Sequence, residues 1–281
     1  MQEPIVLYDI PWKAMGKAWS PNVWKTRFVI LPTQSRLSIL TTTLLRFRYC
    51  LNIKGIPYRT VWVEFPDIAT FCTEIGAPPT ATTRDAKPVY TLPVIYDPNT
   101  KATISESTRI AEYLDSAYPG TVALLPKGPE AEQFQRACDK LLFGIDVLSI
   151  MVPGVYTSLN ETSQPYFRAT REKRFGKLEE LAPVGSDKRK KHWEGVKNTF
   201  HTIAVLLQGK AEQEKLFFSS GSEVSYLDIR IASNLMWIRT IYGDDSKEWQ
   251  DVLEWDGGRW GRFMDAFRKY EAVDSGTIAK L

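Results

Sequence analysis

Two short motifs carry groups that can bind the backbone and the carboxylate of a small peptide. Leu92-Pro93 enters a β-forming stretch, and a proline at the first position of a strand donates no hydrogen bond to the sheet. If this peptide bond is cis, the N–H and C=O of Leu92 face outward and can pair with an extended peptide. Glu106-Ser107 precedes apolar residues at helical spacing, so the Ser107 hydroxyl and a helix N-terminus offer donors to a carboxylate. An ordinary hairpin followed by a capped helix is the alternative interpretation.

A third candidate group is the hydroxyl of Ser20, at the start of a predicted helix. Serine is a favoured N-cap, and Pro21 suits the first helical position. Lowering a thiol pKa by about two units from about 8.5 takes about 2.7 kcal/mol of anion stabilisation. One charge-assisted hydrogen bond contributes about 1.5–3 kcal/mol, so a serine O–H can stabilise a bound thiolate. A simple helix cap is the alternative.

Other candidate groups are few. Lys87, shortly before the Leu92 turn, can meet a ligand carboxylate, although a solvated loop lysine is the alternative. His192 and His201 have no clustered partners, so we expect no metal site. The three cysteines form neither a C-x-x-C pair nor a disulfide framework, which favours a reduced, cytoplasmic protein.

Length and charge limit the function classes. A chain of 281 residues suits one large or two ordinary domains. A net charge of +3, from 36 basic and 33 acidic residues, indicates no nucleic-acid partner. No signal peptide is visible at the N-terminus. The most apolar run, residues 141–155, is too short and too interrupted to span a bilayer, so we expect no membrane partner.

The order of predicted elements divides the chain into two domains. Residues 1–120 read as βαβαββα, which is typical of a thioredoxin-like α/β domain. After a linker at 124–129, residues 129–281 are predicted to form an all-helical domain without strands, beginning with one long helix over 130–152. Ser225 and Asp228 form a predicted capping box at the start of a buried central helix.

Residues 30–50 interrupt the first domain. Residues 25–29 join naturally to residues 51–55 as one amphipathic helix, whereas the 21 residues between them contain a proline, three consecutive threonines and no acid. A helical extension of 21 residues would add about 32 Å and separate Ser20 from Pro93. We therefore predict a segment extruded from the domain, part of it helical. It is interpreted as a foreign insertion of the kind produced by translated non-coding sequence; a lineage-specific loop is the alternative.

Taken together, these motifs make the chain resemble a cytosolic glutathione transferase over nearly its full length. Within that family it looks like the fungal-specific A class, which is similar to bacterial lignin β-aryl etherases. The departure from the family pattern is the segment 30–50. The stretches that carry the resemblance are residues 8–10, 19–27, 51–57, 62–64, 90–94, 106–107 and 171–176.

The resemblance implies glutathione as cosubstrate and assigns roles to the candidate residues. Ser20 would stabilise the thiolate, Leu92 would pair with the cysteinyl backbone, Glu106 would meet the γ-glutamyl ammonium, and Ser107 its carboxylate. The implied glutathione-binding residues are Ser20, Asn22, Lys87, Leu92, Pro93, Glu106 and Ser107. The acceptor pocket would lie between the domains, lined by Trp12, Met15, Met151 and Tyr156; core packing is the alternative for each.

We therefore expect a detoxifying enzyme that directs the glutathione thiolate at hydrophobic electrophiles, aryl ethers or peroxides. One alternative is a non-catalytic binding protein (a ligandin) for hydrophobic aromatic compounds. Another is a product inactivated by the segment 30–50. The family resemblance also implies a homodimer.

Overall fold

The structure, a computed structural model, describes residues 2–13, 43–209, 214–218, 224–274 and 276–279, and of residues 43–47 the backbone only. Its strands are β1 (Ile5–Asp9), β2 (Tyr58–Trp62), β3 (Ala81–Thr82), β4 (Pro88–Val89), β5 (Val94–Asp97), β6 (Ala102–Ser105) and β7 (Thr277–Ile278). Its helices are α1 (Thr43–Lys54), α2 (Ile68–Glu74), α3 (Ser107–Ala117), α4 (Pro129–Leu142), α5 (Ile145–Ser158), α6 (Gln164–Phe175), α7 (Asp187–Gln208), α8 (Tyr226–Tyr242) and α9 (Lys247–Phe267).

Five of these strands form a mixed sheet in the order β6-β5-β1-β2-β7. β1 runs parallel to β2 and antiparallel to β5, and β5 runs antiparallel to β6. The parallel β1–β2 pair needs a crossover, to which α1 belongs. With the helices α4–α9 that follow, this confirms the predicted thioredoxin-like α/β domain plus helical domain.

The sheet is held from within by apolar side chains. Ile5 and Leu7 of β1 and Val94 and Ile95 of β5 are all fully buried. Their removal from water stabilises the domain by about 25 cal/mol per Å² of apolar surface. α1 packs against α3 and also against α8, so the two domains share a continuous core.

The capping box that the sequence predicts at α8 is confirmed. The Ser225 hydroxyl accepts a hydrogen bond from the Asp228 N–H, and the Asp228 carboxylate accepts one from the Ser225 N–H. Burial raises the pKa of Asp228, although its hydrogen bonds with Ser225 and Phe218 oppose the shift. The helix that follows is buried on nearly every side.

The predicted single helix over 130–152 is wrong. Two helices, α4 and α5, meet at a bend of 58° around Gly144. Gly144 has an extended backbone (φ −63°, ψ 162°) and is the N-cap of α5. Because both helices are apolar on the side that faces the core, their hydrophobic spacing does not reveal the break.

The linker is fixed to the first domain by one carboxylate. Asp115 accepts hydrogen bonds from the N–H groups of Leu124 and Leu125 and from the Lys54 ammonium, at 2.8–3.0 Å. Burial would raise the pKa of Asp115, but these donors hold it below its ordinary value. The domain boundaries at 120 and 129 stay predictions.

The sequence predicts no strand after the linker, yet β7 pairs in parallel with β2. Asp274 accepts from the Thr60 N–H at 2.7 Å, and the Ala279 N–H donates to the Trp62 carbonyl at 2.8 Å. Gly276 has φ +67°, and a Cβ there would overlap the Trp62 ring. A two-residue strand is too short to give an alternating pattern, so the sequence carries little signal for it.

The described part of α1 overlaps the segment predicted to be foreign. Residues 43–50 form its first half, and Tyr49 and Cys50 are fully buried. Arg48 is 3% exposed and forms an ion pair with Asp9 at 2.9 Å. The predicted helix start at Ser20-Pro21 and residues 30–42 lie outside the described residues. The part of segment 30–50 that the structure describes therefore belongs to the fold.

Candidate functional site

The peptide bond between Leu92 and Pro93 is cis, and it directly precedes β5. The Leu92 side chain is buried, at 1% exposure. Within the described part of the chain, neither the N–H nor the C=O of Leu92 forms a hydrogen bond. Backbone N–H and C=O groups in folded proteins almost always have a hydrogen-bond partner. The N–H and C=O of Leu92 can therefore pair with the backbone of an extended peptide ligand.

Glu106 forms the N-cap of α3 in an unusual conformation. Its φ is +78°, in the left-handed region that residues with a Cβ rarely adopt. Its carboxylate accepts from the N–H groups of Thr108 and Arg109, each at 3.3 Å, and from the Ser107 hydroxyl at 3.0 Å. A carboxylate has about four acceptor positions, so Glu106 can also accept from a ligand ammonium.

The β5–β6 register brings the two motifs to one end of a hairpin. Val94 lies opposite Ser105. Leu92 comes two positions before Val94 and Ser107 two positions after Ser105, so both lie beyond the same end of the ladder. Tyr8 lies opposite Val94 in the β1–β5 pair, so β1 also ends at this edge. The predicted juxtaposition of an unpaired backbone and a helix N-terminus therefore follows from the strand pairing.

Within the described residues, the structure does not bring the remaining predicted glutathione-binding residues together with Leu92 and Ser107. Lys87 is exposed and precedes β4, and its N–H donates to the Thr83 hydroxyl at 3.0 Å. Ser20 and Asn22 lie outside the described residues, as does the pocket residue Met15. Their assignments stay predictions.

Two of the predicted pocket residues lie near one another at the domain boundary. The backbone of Trp12 forms an isolated bridge with Leu159, just after α5. Tyr156, one turn earlier on α5, is half-buried, with the Arg168 guanidinium 4.3 Å from its ring centre. Met151 is 1% exposed and packs in the helical core.

Sequence reasoning missed a polar link between the domains. Glu64, two residues after β2, accepts from Asn160 at 2.7 Å and from the Ser163 hydroxyl. The same hydroxyl accepts from the Phe65 N–H at 2.9 Å. In the sequence, Ser163 indicates only the start of a helix. Its hydrogen bonds to Glu64 and Phe65 join residues far apart in the chain, and no local pattern predicts them.

Arg171, from the stretch 171–176, is a buried cation beside this link. Its guanidinium carbon is 5.1 Å from the Phe65 ring centre and 4.5 Å from that of Phe167. Two of its nitrogen atoms have no hydrogen-bond partner among the described residues. Burial lowers the pKa of Arg171 to about 9.

The described residues contain no group of three or more His, Cys, Asp and Glu side chains that could hold a metal ion. His192 instead lies 2.8 Å from Asp146, and His201 lies 2.7 Å from Asp256. No single described helix has the length and apolar content to cross a membrane, although the bent pair α4 and α5 passes that test when taken together.

Comparison with known families matches both domains. A model of the glutathione S-transferase N-terminal domain matches residues 44–117, so the match begins inside the segment 30–50. A model of the glutathione S-transferase C-terminal domain matches residues 131–270. A curated relative, the glutathione S-transferase-like protein ustS of Aspergillus flavus, is 27% identical over 268 residues, covering 92% of this chain and 87% of the relative.

Solved structures agree over the whole chain. A glutathione S-transferase of Ceriporiopsis subvermispora, crystallised with glutathione, is 41% identical with a TM-score of 0.80, covering 97% of this chain and 99% of that one. Glutathione transferase GSTFuA3 of Phanerochaete chrysosporium is 38% identical with a TM-score of 0.79, covering 98% of this chain and 100% of that one. The similarity to lignin β-aryl etherases stays a prediction.

Proposed function

Because the chain belongs to the glutathione S-transferase family, we propose that it binds its cosubstrate glutathione along the Leu92 backbone and at the N-terminus of α3. The observation that carries this proposal is the unpaired N–H and C=O of Leu92, at the hairpin end where Ser107 begins α3. A tripeptide has the same backbone groups as a short strand and ends in a carboxylate. Both features match what this edge offers.

Each polar group of glutathione then has a partner. The Leu92 N–H and C=O pair with the cysteinyl backbone after the Pro93 turn. Ser107 and the positive end of α3 bind the γ-glutamyl carboxylate, and Glu106 binds its ammonium. Lys87 meets the glycyl carboxylate, and Asn22 contributes a further hydrogen bond near the thiol.

Ser20 activates the thiol in this proposal. A hydroxyl that donates to sulfur favours the thiolate over the thiol, and the thiolate is the nucleophile. The acceptor is a hydrophobic electrophile, an aryl ether or a peroxide, held in a pocket lined by Trp12, Met15, Met151 and Tyr156. This arrangement serves detoxification.

Replacing Ser20 by alanine tests the activation step. In Ser20→Ala, the pKa of bound glutathione should rise toward the value in solution, and kcat should fall by about 10–100-fold if one charge-assisted hydrogen bond is lost. The thiolate absorbance titrated against pH measures the pKa, and replacement of the exposed serine Ser116 by alanine serves as the control. An unchanged thiol pKa in Ser20→Ala would refute the role of this serine.

A second candidate function is a ligandin that binds hydrophobic aromatic compounds without turnover. It is favoured by the aromatic side chains at the domain boundary, where Trp12 bridges Leu159 just after α5 and Tyr156 is half-buried. The same Ser20→Ala experiment separates the two: a ligandin retains aromatic binding and shows no thiol chemistry that depends on Ser20. A protein inactivated by the segment 30–50 would instead fail to bind glutathione until the segment is removed.

We further propose a homodimer in a reducing, cytoplasmic setting. The cysteines Cys50, Cys72 and Cys138 are buried and form no disulfide among the described residues, which fits a protein kept reduced. Sedimentation at several protein concentrations tests the dimer, and a single monomeric species throughout would contradict it.

A further inference from the structure

The first half of α1 contributes a buried charge at the end of β1, the central strand of the sheet. Arg48 is 3% exposed, donates to Asp9 at 2.9 Å, and reaches Asp274 at 3.4 Å. Its guanidinium carbon is also 5.0 Å from the Trp62 ring centre. Asp9 is itself only 3% exposed, and a buried carboxylate is stabilised by the cation that α1 supplies at this position.

The next two residues of α1 fill the core. Tyr49 is fully buried, and its ring meets the edge of Phe267 at a centroid distance of 5.1 Å. Cys50 is also fully buried, as is Leu51. The three positions immediately before Leu51 therefore require, in order, a cation beside Asp9, an aromatic residue against Phe267 and a small apolar residue in the core.

The chain contains this pattern a second time. Removing residues 30–50, which number 50 − 29 = 21, joins Val29 to Leu51. Arg27 then takes the position of Arg48, since 48 − 21 = 27, and the aromatic and small apolar residues follow in the same order. The basic residues two positions earlier also correspond, since 46 − 21 = 25. The two alternatives are Lys25-Thr26-Arg27-Phe28-Val29 and Arg46-Phe47-Arg48-Tyr49-Cys50.

We infer that the chain carries two interchangeable sequences for the first half of α1, and that Arg48 replaces Arg27 as the partner of Asp9 whenever residues 30–50 are present. The fold can then be built with or without 21 residues. In a chain without them, the residue that corresponds to Thr43 follows Ser20 by two positions, since 43 − 21 − 20 = 2. In the full chain the separation is 43 − 20 = 23.

Thermal unfolding of paired variants tests this inference. In the full chain, Arg48→Met removes a guanidinium that donates to a buried carboxylate while keeping an apolar stem, and should lower Tm by about 6–12 °C. Arg27→Met in the full chain should leave Tm unchanged. In a chain without residues 30–50, Arg27→Met should lower Tm as Arg48→Met does in the full chain. A fall in Tm for Arg27→Met in the full chain, or none for Arg48→Met, would overturn the inference.

Alkylation of the native protein gives a second measurement if Arg48→Met fails to fold. Cys50 should react with iodoacetamide as slowly as Cys72 and Cys138, which are 1% exposed. Peptide mapping assigns the modified thiols, and unfolding in urea should make all three react alike. Rapid modification of Cys50 alone would show that residues 48–50 do not form the buried part of α1. Neither measurement depends on glutathione, so its outcome is separate from that of the proposed function.

Discussion

Glu106 serves two purposes, one through its side chain and one through its backbone. Its carboxylate caps α3 through Thr108 and Arg109, while its backbone holds a left-handed φ of +78° that positions Ser107 beside the hairpin end. A non-glycine residue in this region stores about 1–3 kcal/mol of strain. Such strain persists where the surrounding structure requires the geometry, which is common at ligand sites.

Replacement of Glu106 by glycine and by alanine separates these two purposes. Glu106→Ala loses the cap and keeps the strained φ, so unfolding should become easier by about 0.5–2 kcal/mol; Glu106→Gly should cost only a few tenths. Both variants lose the carboxylate and should weaken glutathione binding alike. Urea unfolding and calorimetric titration measure the two effects. Equal destabilisation by both substitutions would contradict the role of φ.

Asp97 should make the stability of the first domain sensitive to acid. Burial alone would raise its pKa, but hydrogen bonds from Tyr113, Tyr118 and Asn99 hold the pKa below its ordinary value of 3.8. A carboxyl group whose pKa is lower in the folded state stabilises the fold above its unfolded pKa. That stabilisation is lost as pH falls through the folded pKa.

Asp97→Asn should therefore destabilise the protein more at neutral pH than below about pH 3. Burial raises the pKa values of Asp228 and Glu271, so their contributions to stability change with pH in the direction opposite to that of Asp97. Both groups are present in the variant and in the wild type, so comparing the two proteins at each pH isolates the effect of Asp97. Urea unfolding at both pH values measures the difference, with the exposed Glu112→Gln as control. The same loss at both pH values would count against this account.

At the scale of elements, close helix contacts depend on a glycine. A Cβ on Gly154 in α5 would overlap the Ile241 side chain of α8, whereas a Cβ on Gly261 in α9 would meet its neighbours at an ordinary 3.5 Å. Both glycines lie within helices, where alanine is the better helix former. Alanine should therefore lower the free energy of unfolding at position 154 and leave it unchanged or raise it at position 261.

Gly154→Ala should lower the free energy of unfolding by about 1–3 kcal/mol, because α5 and α8 must separate. Gly261→Ala should be neutral or stabilising by up to about 1 kcal/mol. Urea unfolding of the two variants side by side measures both. A stable Gly154→Ala protein would show that the α5–α8 contact adapts more easily than the structure indicates.

The elements differ in how far the sequence could predict them. The α8 capping box is local chemistry between Ser225 and Asp228, and it was read correctly. The break at Gly144 was missed because apolar spacing continues across it. The partnership of Arg48 with Asp9 joins residues 39 positions apart, and no local pattern reports such a contact. At the site, Leu92 and Ser107 were predictable because a hairpin register links them, whereas the bonds of Glu64 to Asn160 and Ser163 depend on how two domains meet.

At the scale of the whole molecule, the C-terminal residues close the first domain. β7 covers the edge of β2, and Asp274 joins that edge to α1 through Thr60 and Arg48. An uncovered strand edge is a template for pairing with other chains. β7 therefore prevents other chains from pairing with the edge of β2.

Asp274→Ala should loosen this cover. Loss of its hydrogen bonds to Thr60 and Arg48 should reduce the free energy of unfolding by about 1–3 kcal/mol and increase self-association as β2 becomes accessible. Urea unfolding and light scattering measure these effects. Asp265→Ala, which breaks only an exposed ion pair with Arg268, is the control. If both variants behave alike, the tail does not stabilise the sheet.

The central claim is that glutathione binds between Leu92 and the N-terminus of α3. Calorimetric titration of the full chain with glutathione, repeated with Ser107→Ala and with Thr108→Ala as control, tests it most directly. We predict saturable binding that Ser107→Ala weakens by about 10–100-fold and Thr108→Ala leaves unchanged, because in the proposal the Ser107 hydroxyl, and not that of Thr108, binds the ligand carboxylate. Absence of binding to the full chain, or equal affinity in Ser107→Ala and wild type, would contradict the claim.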